Sequence, residues 1–130
     1  MGSRVAQFCI SVTDLNRSEE FYTKVLGLQV QQRIEIPDAK ELVMGSPDSE
    51  SMIQLAQKTD QQGPIDHGDM ALWKFYIYSD DIQSIYDAAG EWGVERPKEP
   101  TKLEQWPVTI AFIIDPDGYH IELVQRDGEG

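Results

Sequence analysis

The chain is poor in cysteine: Cys9 is the only one in 130 residues, which excludes an internal disulfide and suits a reducing, cytoplasmic compartment. It is also poor in base. Eleven Lys and Arg stand against 23 Asp and Glu, a net charge of -12 that argues against nucleic acid and anionic membrane as partners. Long apolar runs are missing too. None approaches the roughly 20 residues that a membrane span requires, and no charged-then-apolar leader opens the sequence. What remains is ordinary for a soluble globular domain: 40% hydrophobic residues, in a length sufficient for one core. The surplus acid mostly keeps the surface soluble and only weakly favours a cationic ligand.

The pattern of apolar residues gives two runs of elements. Phe8, Ile10 and Val12 alternate with Gln7, Cys9 and Ser11, as in a half-buried strand. Asn16, with Glu19 three residues later, reads as the capping box of a helix whose stripe is Phe21, Tyr22, Val25 and Leu26. Gly27 supplies its stop. Residues 30–36, 41–44 and 52–56 read as three further strands, separated by Pro37-Asp38 and Gly45-Ser46-Pro47-Asp48. A polar segment, about 58–70, reads as a linker. The pattern then restarts with Phe75 and Ile77 alternating with Lys74, Tyr76 and Tyr78. Asp80-Asp81 opens a second helix with Ile82, Ile85, Tyr86, Ala89 and Trp92 on its stripe and Gly93 after it. Strands are expected near 108–114 and 121–124, around the turn Asp115-Pro116-Asp117-Gly118.

The two runs overlay. Gln7 to Leu15 falls on Lys74 to Ile82, and Ile53-Gln54-Leu55 falls on Ile121-Glu122-Leu123 at nearly the same offset. Such self-similarity marks two copies of one strand–helix–strand–strand–strand unit. The expected fold is therefore α+β: two tandem βαβββ modules, about 4–57 and 71–126 of a single domain, forming a curved mixed sheet around a cavity. Within it, Glu122 is a carboxylate between Ile121 and Leu123 on the opposite strand face, so it must be solvated, paired or metal-bound.

Two stretches carry a family resemblance. Arg17-Ser18 followed by Phe21-Tyr22-Thr23-Lys24-Val25-Leu26-Gly27, and Asp115-Pro116-Asp117-Gly118-Tyr119 through Glu122-Leu123, resemble the first helix and last hairpin of the vicinal oxygen chelate superfamily. That superfamily includes glyoxalase I, bleomycin-resistance proteins and extradiol dioxygenases, and the last hairpin is most similar to glyoxalase I. The resemblance implies a homodimer, a small-molecule ligand, and a site built from Gln7, Gln54, Lys74 and Glu122. In glyoxalase I these four positions carry His or Gln, Glu, His and Glu. Glu122 is kept and Gln7 is an accepted variant, whereas Gln54 has lost a charge and Lys74 departs outright. Ser11 occupies the place of a glutathione-contacting arginine.

Lys74 bears directly on whether a metal is expected. As a ligand it would have to shed a proton, at a cost of roughly 4.6 kcal/mol at pH 7 from a reference pKa of about 10.4. As an ammonium it puts a positive charge where a divalent cation would sit. The favoured expectation is thus no metal, with Lys74 paired to Glu122. If a divalent ion (Ni, Zn, Mg or Mn) is bound, its ligands are Gln7, Gln54 and Glu122.

Tyr76 and Tyr78 share the strand parity of Lys74 and are candidate cavity walls. Trp106, before the last hairpin, is a candidate cover for the pocket, and His120, with the parity of Glu122, a candidate titrating group at its mouth. His67 has no strand context and reads as surface. Cys9 reads as a small hydrophobe rather than a nucleophile. Two functional classes follow: a metal-free protein that binds a small molecule or acts on it with Glu122 as acid or base and Lys74 as counter-charge, and a metal-dependent glyoxalase I-like lyase or isomerase.

Overall fold

The computed structural model describes residues 2–127, which separate after Ile65 into two compact units. The first runs β1 (Gln7–Ser11), α1 (Leu15–Lys24), β2 (Gln29–Ile36), β3 (Ala39–Gly45) and β4 (Met52–Lys58). Its sheet has the order β1-β4-β3-β2, with β1 parallel to β4 and the other neighbours antiparallel. Helix α1 packs on β3 and β4 through Phe21 and Tyr22, both fully buried, over Leu42, Met44 and Leu55. Burial of each such side chain contributes about 2 kcal/mol.

The second unit repeats this plan with β5 (Phe75–Tyr78), α2 (Ile82–Trp92), β6 (Lys98–Lys102), β7 (Val108–Ile114) and β8 (His120–Arg126), in the order β5-β8-β7-β6. Ile82, Ile85 and Ala89 of α2 cover one sheet face, where Ala111, Ile113, Ile121 and Leu123 are fully buried. Strict alternation then sends Tyr76, Phe112 and Glu122 to the other face. Each unit is a βαβββ module with a mixed four-stranded sheet, the α+β architecture expected from the repeat.

The repeat extends to single hydrogen bonds. Gln57 Oε1 accepts from the Leu15 amide at 2.8 Å, and Gln125 Oε1 accepts from the Ile82 amide at 2.9 Å. The Val12 amide donates to the Ala56 carbonyl at 2.9 Å, and the Ser79 amide to the Val124 carbonyl at 3.0 Å. Asp14 and Asp81 cap the two helices, their carboxylates accepting from the amides of Arg17 (3.2 Å) and Ser84 (3.1 Å). Gly93 ends α2 in the left-handed region at φ 107°.

Two details differ from expectation. The cap of α1 is Asp14 rather than Asn16, and Glu19 does not close a capping box. Glu19 instead grips Arg33 of β2 through two bonds of 2.7 and 3.1 Å, and that bidentate pairing outcompetes a single local bond. Strand β6 is implied by the repeat but had no expected position, because Lys98-Glu99-Pro100-Thr101-Lys102 has neither alternation nor apolar content. It is an edge strand with a register shift between Lys98 and Thr101, the setting in which proline and charge are tolerated. Among the described residues no helix is long and apolar enough to cross a membrane.

Candidate functional site

The second unit holds the chemistry. Glu122 lies mid-strand in β8, opposite Tyr76 of β5 on one side and Phe112 of β7 on the other. Two aromatic rings therefore flank the carboxylate by register alone. Lys74, immediately before β5, brings its Nζ to 2.7 Å from Glu122 Oε1, and the two side chains are only 13% and 12% exposed. The expected ion pair thus forms, largely withdrawn from solvent.

The ammonium is also boxed by rings. Nζ stands 4.1 Å from the Trp73 ring centre, 5.2 Å from Phe112 and 5.4 Å from Tyr76. All three lie within the range at which a ring face attracts a cation, by about 0.5–1 kcal/mol each at partly exposed sites. The hydrogen bond to Glu122 raises the Lys74 pKa above its ordinary value, outweighing the opposing effect of burial. At neutral pH Lys74 is therefore an ammonium, unsuited to nucleophilic or Schiff-base chemistry.

From Glu122 an open groove of about 930 Å³ runs along the sheet face toward the end of β8. Tyr76, Tyr78, Ile110, Val124, Trp106 and Pro107 line it. Tyr76 is 53% exposed, so its ring is available to a ligand even while it faces Lys74. Phe112, Trp73, Ile110 and Arg126 were missed in the sequence. Phe112 and Ile110 were within reach, because the parity that buries Ala111 and Ile113 sends them to the site face. Trp73 lies outside a regular strand and left no periodic signal. His120, half-buried and paired with Ile114 in the ladder, is not among the residues lining the groove.

In the first unit the equivalent positions hold amides. Gln7 Nε2 donates to Gln54 Oε1 at 2.5 Å, and Gln54 Nε2 donates to Glu41 Oε1. Cys9 lies beside Gln54 across the β1–β4 ladder. Cys9 is exposed rather than the packed small hydrophobe expected, and partial desolvation followed by the Glu41 charge raises its thiol above the ordinary pKa, which favours the protonated form. His67, expected as plain surface, instead fastens the segment before β5 to the last hairpin. Its Nε2 lies 2.8 Å from the Asp117 carbonyl, and its ring meets Tyr119 edge-on at 4.7 Å. Asp115, 3% exposed, holds that hairpin by accepting from the amides of Asp117 and Tyr119 at 2.8 and 2.9 Å.

The donor set does not fit a divalent metal. Glu122 already accepts from an ammonium, which would repel an incoming cation. The amides of Gln7 and Gln54 are neutral and engaged within their own unit. Among the described residues no group of three or more His, Cys, Asp or Glu side chains is arranged to hold a metal ion.

Comparison with known proteins gives this geometry a family. The chain is 32% identical over 121 residues to a lactoylglutathione lyase of Haemophilus influenzae, covering 90% of this chain and 88% of that one. It spans only 36–42% of the length of three plant relatives, from Arabidopsis thaliana and Brassica oleracea, at 30–32% identity. Among solved structures, the trypanothione-dependent glyoxalase I of Leishmania major superposes with a TM-score of 0.80 at 26% identity, over 95% of this chain and 87% of that one. TnmS3, an antibiotic binding protein from Streptomyces sp. CB03234, superposes at 0.72 with 21% identity, over 95% and 96%, and so shares the fold. The family model for the Glyoxalase/Bleomycin resistance protein/Dioxygenase superfamily matches residues 4–123, and this chain belongs to that superfamily.

Proposed function

We propose that this protein is a metal-free small-molecule binder whose site is the aromatic groove of the second unit. The observation that carries this reading is the Lys74 ammonium 2.7 Å from Glu122 and ringed by Trp73, Tyr76 and Phe112. A resident cation neutralises the carboxylate that the superfamily's lyases would spend on a metal. The groove offers apolar ring faces for a ligand to displace water from, with Glu122, neutralised by Lys74, as a polar point to orient it. The fold shared with an antibiotic binding protein supports a binding role. The test is protein purified without a histidine tag, analysed for metal and titrated with an aromatic probe by calorimetry. Substoichiometric metal, and binding indifferent to a chelator, are expected. A stoichiometric transition metal whose removal abolishes binding would overturn the proposal.

A second reading is supported by the 32% identity to a lactoylglutathione lyase over nearly the whole chain. Here the protein isomerises a hemithioacetal, with Glu122 at the reacting centre. Activity that appears on adding Ni²⁺ or Zn²⁺ and vanishes in Glu122→Gln would establish it in place of the first.

A further inference from the structure

The net charge of -12 points toward a cationic ligand, yet the charges around the groove have a different balance. Two acids line it, Glu122 and Asp127. Glu122 is neutralised by Lys74 at 2.7 Å. Asp127 accepts from Lys102 Nζ at 2.7 Å and from Thr109 Oγ1 at 2.9 Å. The remaining charged lining residue is Arg126, exposed at the end of β8, with its guanidinium carbon 5.2 Å from the Tyr78 ring centre. Among the described residues Arg126 forms no ion pair with an acidic side chain. The acids of the groove are thus answered by Lys74 and Lys102, and among the described residues the Arg126 guanidinium is left without an acidic partner.

Position matters as much as sign. Glu122 and Arg126 are four residues apart on one strand face, a separation of about 13 Å. Tyr76, Tyr78 and Val124 fill the interval with ring and methyl surface. A ligand lying along that interval meets aromatic wall for its body, a neutralised carboxylate at one end and an exposed planar fork at the other. Guanidinium forks bind carboxylate, sulfonate or phosphate oxygens in pairs, and the Tyr78 ring, 5.2 Å from the guanidinium carbon, is within cation–π range of this one.

We infer that the groove selects a flat aromatic molecule carrying one anionic group, with Arg126 taking the anion and the tyrosines the ring. This rests on the groove being the binding site and specifies the class of ligand it takes. The small anion-binding end is local, so it operates against the acid surplus of the surface, which salt screens over about 10 Å.

The experiment compares three naphthyl probes on the full chain, 2-naphthalenesulfonate, 2-naphthylmethanol and (2-naphthylmethyl)trimethylammonium, followed by calorimetry. The sulfonate is expected to bind about tenfold tighter than the alcohol, the gain of one charge-assisted contact, with the ammonium weakest. Arg126→Gln should bring the sulfonate down to the level of the alcohol, while Arg126→Lys, which keeps the charge but loses the paired donors, should retain only part of the preference. Added salt should narrow the gap. A sulfonate no better than the alcohol, a preferred ammonium, or a preference that survives Arg126→Gln would overturn the inference and leave the groove a binding site. Failure of all three probes to bind would remove the binding reading itself.

Discussion

The two units share a frame and differ in what they mount on it. In both, a strand-end glutamine accepts from the first helical amide and an aspartate caps the same helix. Yet where the first unit has Gln7, Cys9, Ser11 and Gln54, the second has Lys74, Tyr76, Tyr78 and Glu122. The first set makes a chain of amides ending on Glu41, with small side chains between. The second makes an ion pair in an aromatic box beside a groove. The buried face of each sheet tolerates little change, since every residue there must fill volume against a helix. The opposite face is not constrained in that way, and there the copies have diverged into a hydrogen-bonded ladder and a candidate binding site.

That difference is broken most sharply at Lys74. Lys74→Met strands a carboxylate that is 12% exposed and should cost about 3 kcal/mol, read as a lower urea midpoint at unchanged slope. Glu122→Gln should cost less, about 2 kcal/mol, because the ammonium keeps three ring faces. Removing both charges in Lys74→Met/Glu122→Leu should recover most of the loss, because the desolvation penalty goes with them. The equivalent change in the first unit, Gln54→Ala, removes neutral bonds worth about 1 kcal/mol. If Lys74→Met costs no more than Gln54→Ala, the two sites are energetically alike and the asymmetry between the units has been overstated.

Much of this was legible before any coordinates, and the reason is periodicity. The alternation through Ile121-Glu122-Leu123 and Phe75-Tyr76-Ile77 shows which side chains share the face of Glu122, and the overlay of the halves pairs Lys74 with Gln7. Charge logic then couples Lys74 to Glu122. What escaped lacked a period. Trp73 precedes its strand, β6 is a short edge strand interrupted by Pro100, and His67 acts through one carbonyl of a distant turn. Arg126 escaped differently: the role proposed for it depends on the partners of Asp127 and Glu122, and net charge pointed the other way. Composition reports the whole surface, whereas binding reads a few side chains.

A gentler change sharpens the comparison where the units should be the same. Gln57→Ala and Gln125→Ala each deprive a part-buried first-turn amide, of Leu15 or Ile82, of its acceptor. Each should cost about 1–2 kcal/mol, the range for a lost helix-capping bond, and the two losses should be similar. Hydrogen exchange should quicken at Leu15 in one variant and at Ile82 in the other. A large inequality would mean that the shared frame is a likeness of shape without a likeness of energy.

The smallest effect separates the units by pH. In the first, the hydrogen bond from Arg33, with the guanidinium charge behind it, lowers the Glu19 pKa. A depressed acid contributes stability that is present above its ordinary value, about 4.3, and is lost as pH falls through the lowered one. In the second, Glu122 raises the Lys74 pKa. A raised base contributes stability that is complete below its ordinary value, about 10.4, and is lost as pH rises through the raised one. Melting temperatures of the protein and of Glu19→Gln should therefore converge on the acid side of pH 4 and stay parallel in alkali. Those of the protein and Lys74→Met should converge on the alkaline side of about pH 10.5. Because Arg33 is 63% exposed, the acid effect is the weaker, and salt should shrink it first. Convergence of the Glu19→Gln curve in alkali instead would show that Glu19 acts through something other than Arg33, and the contrast between a solvent-screened pair and a sheltered one would fail at its lesser member.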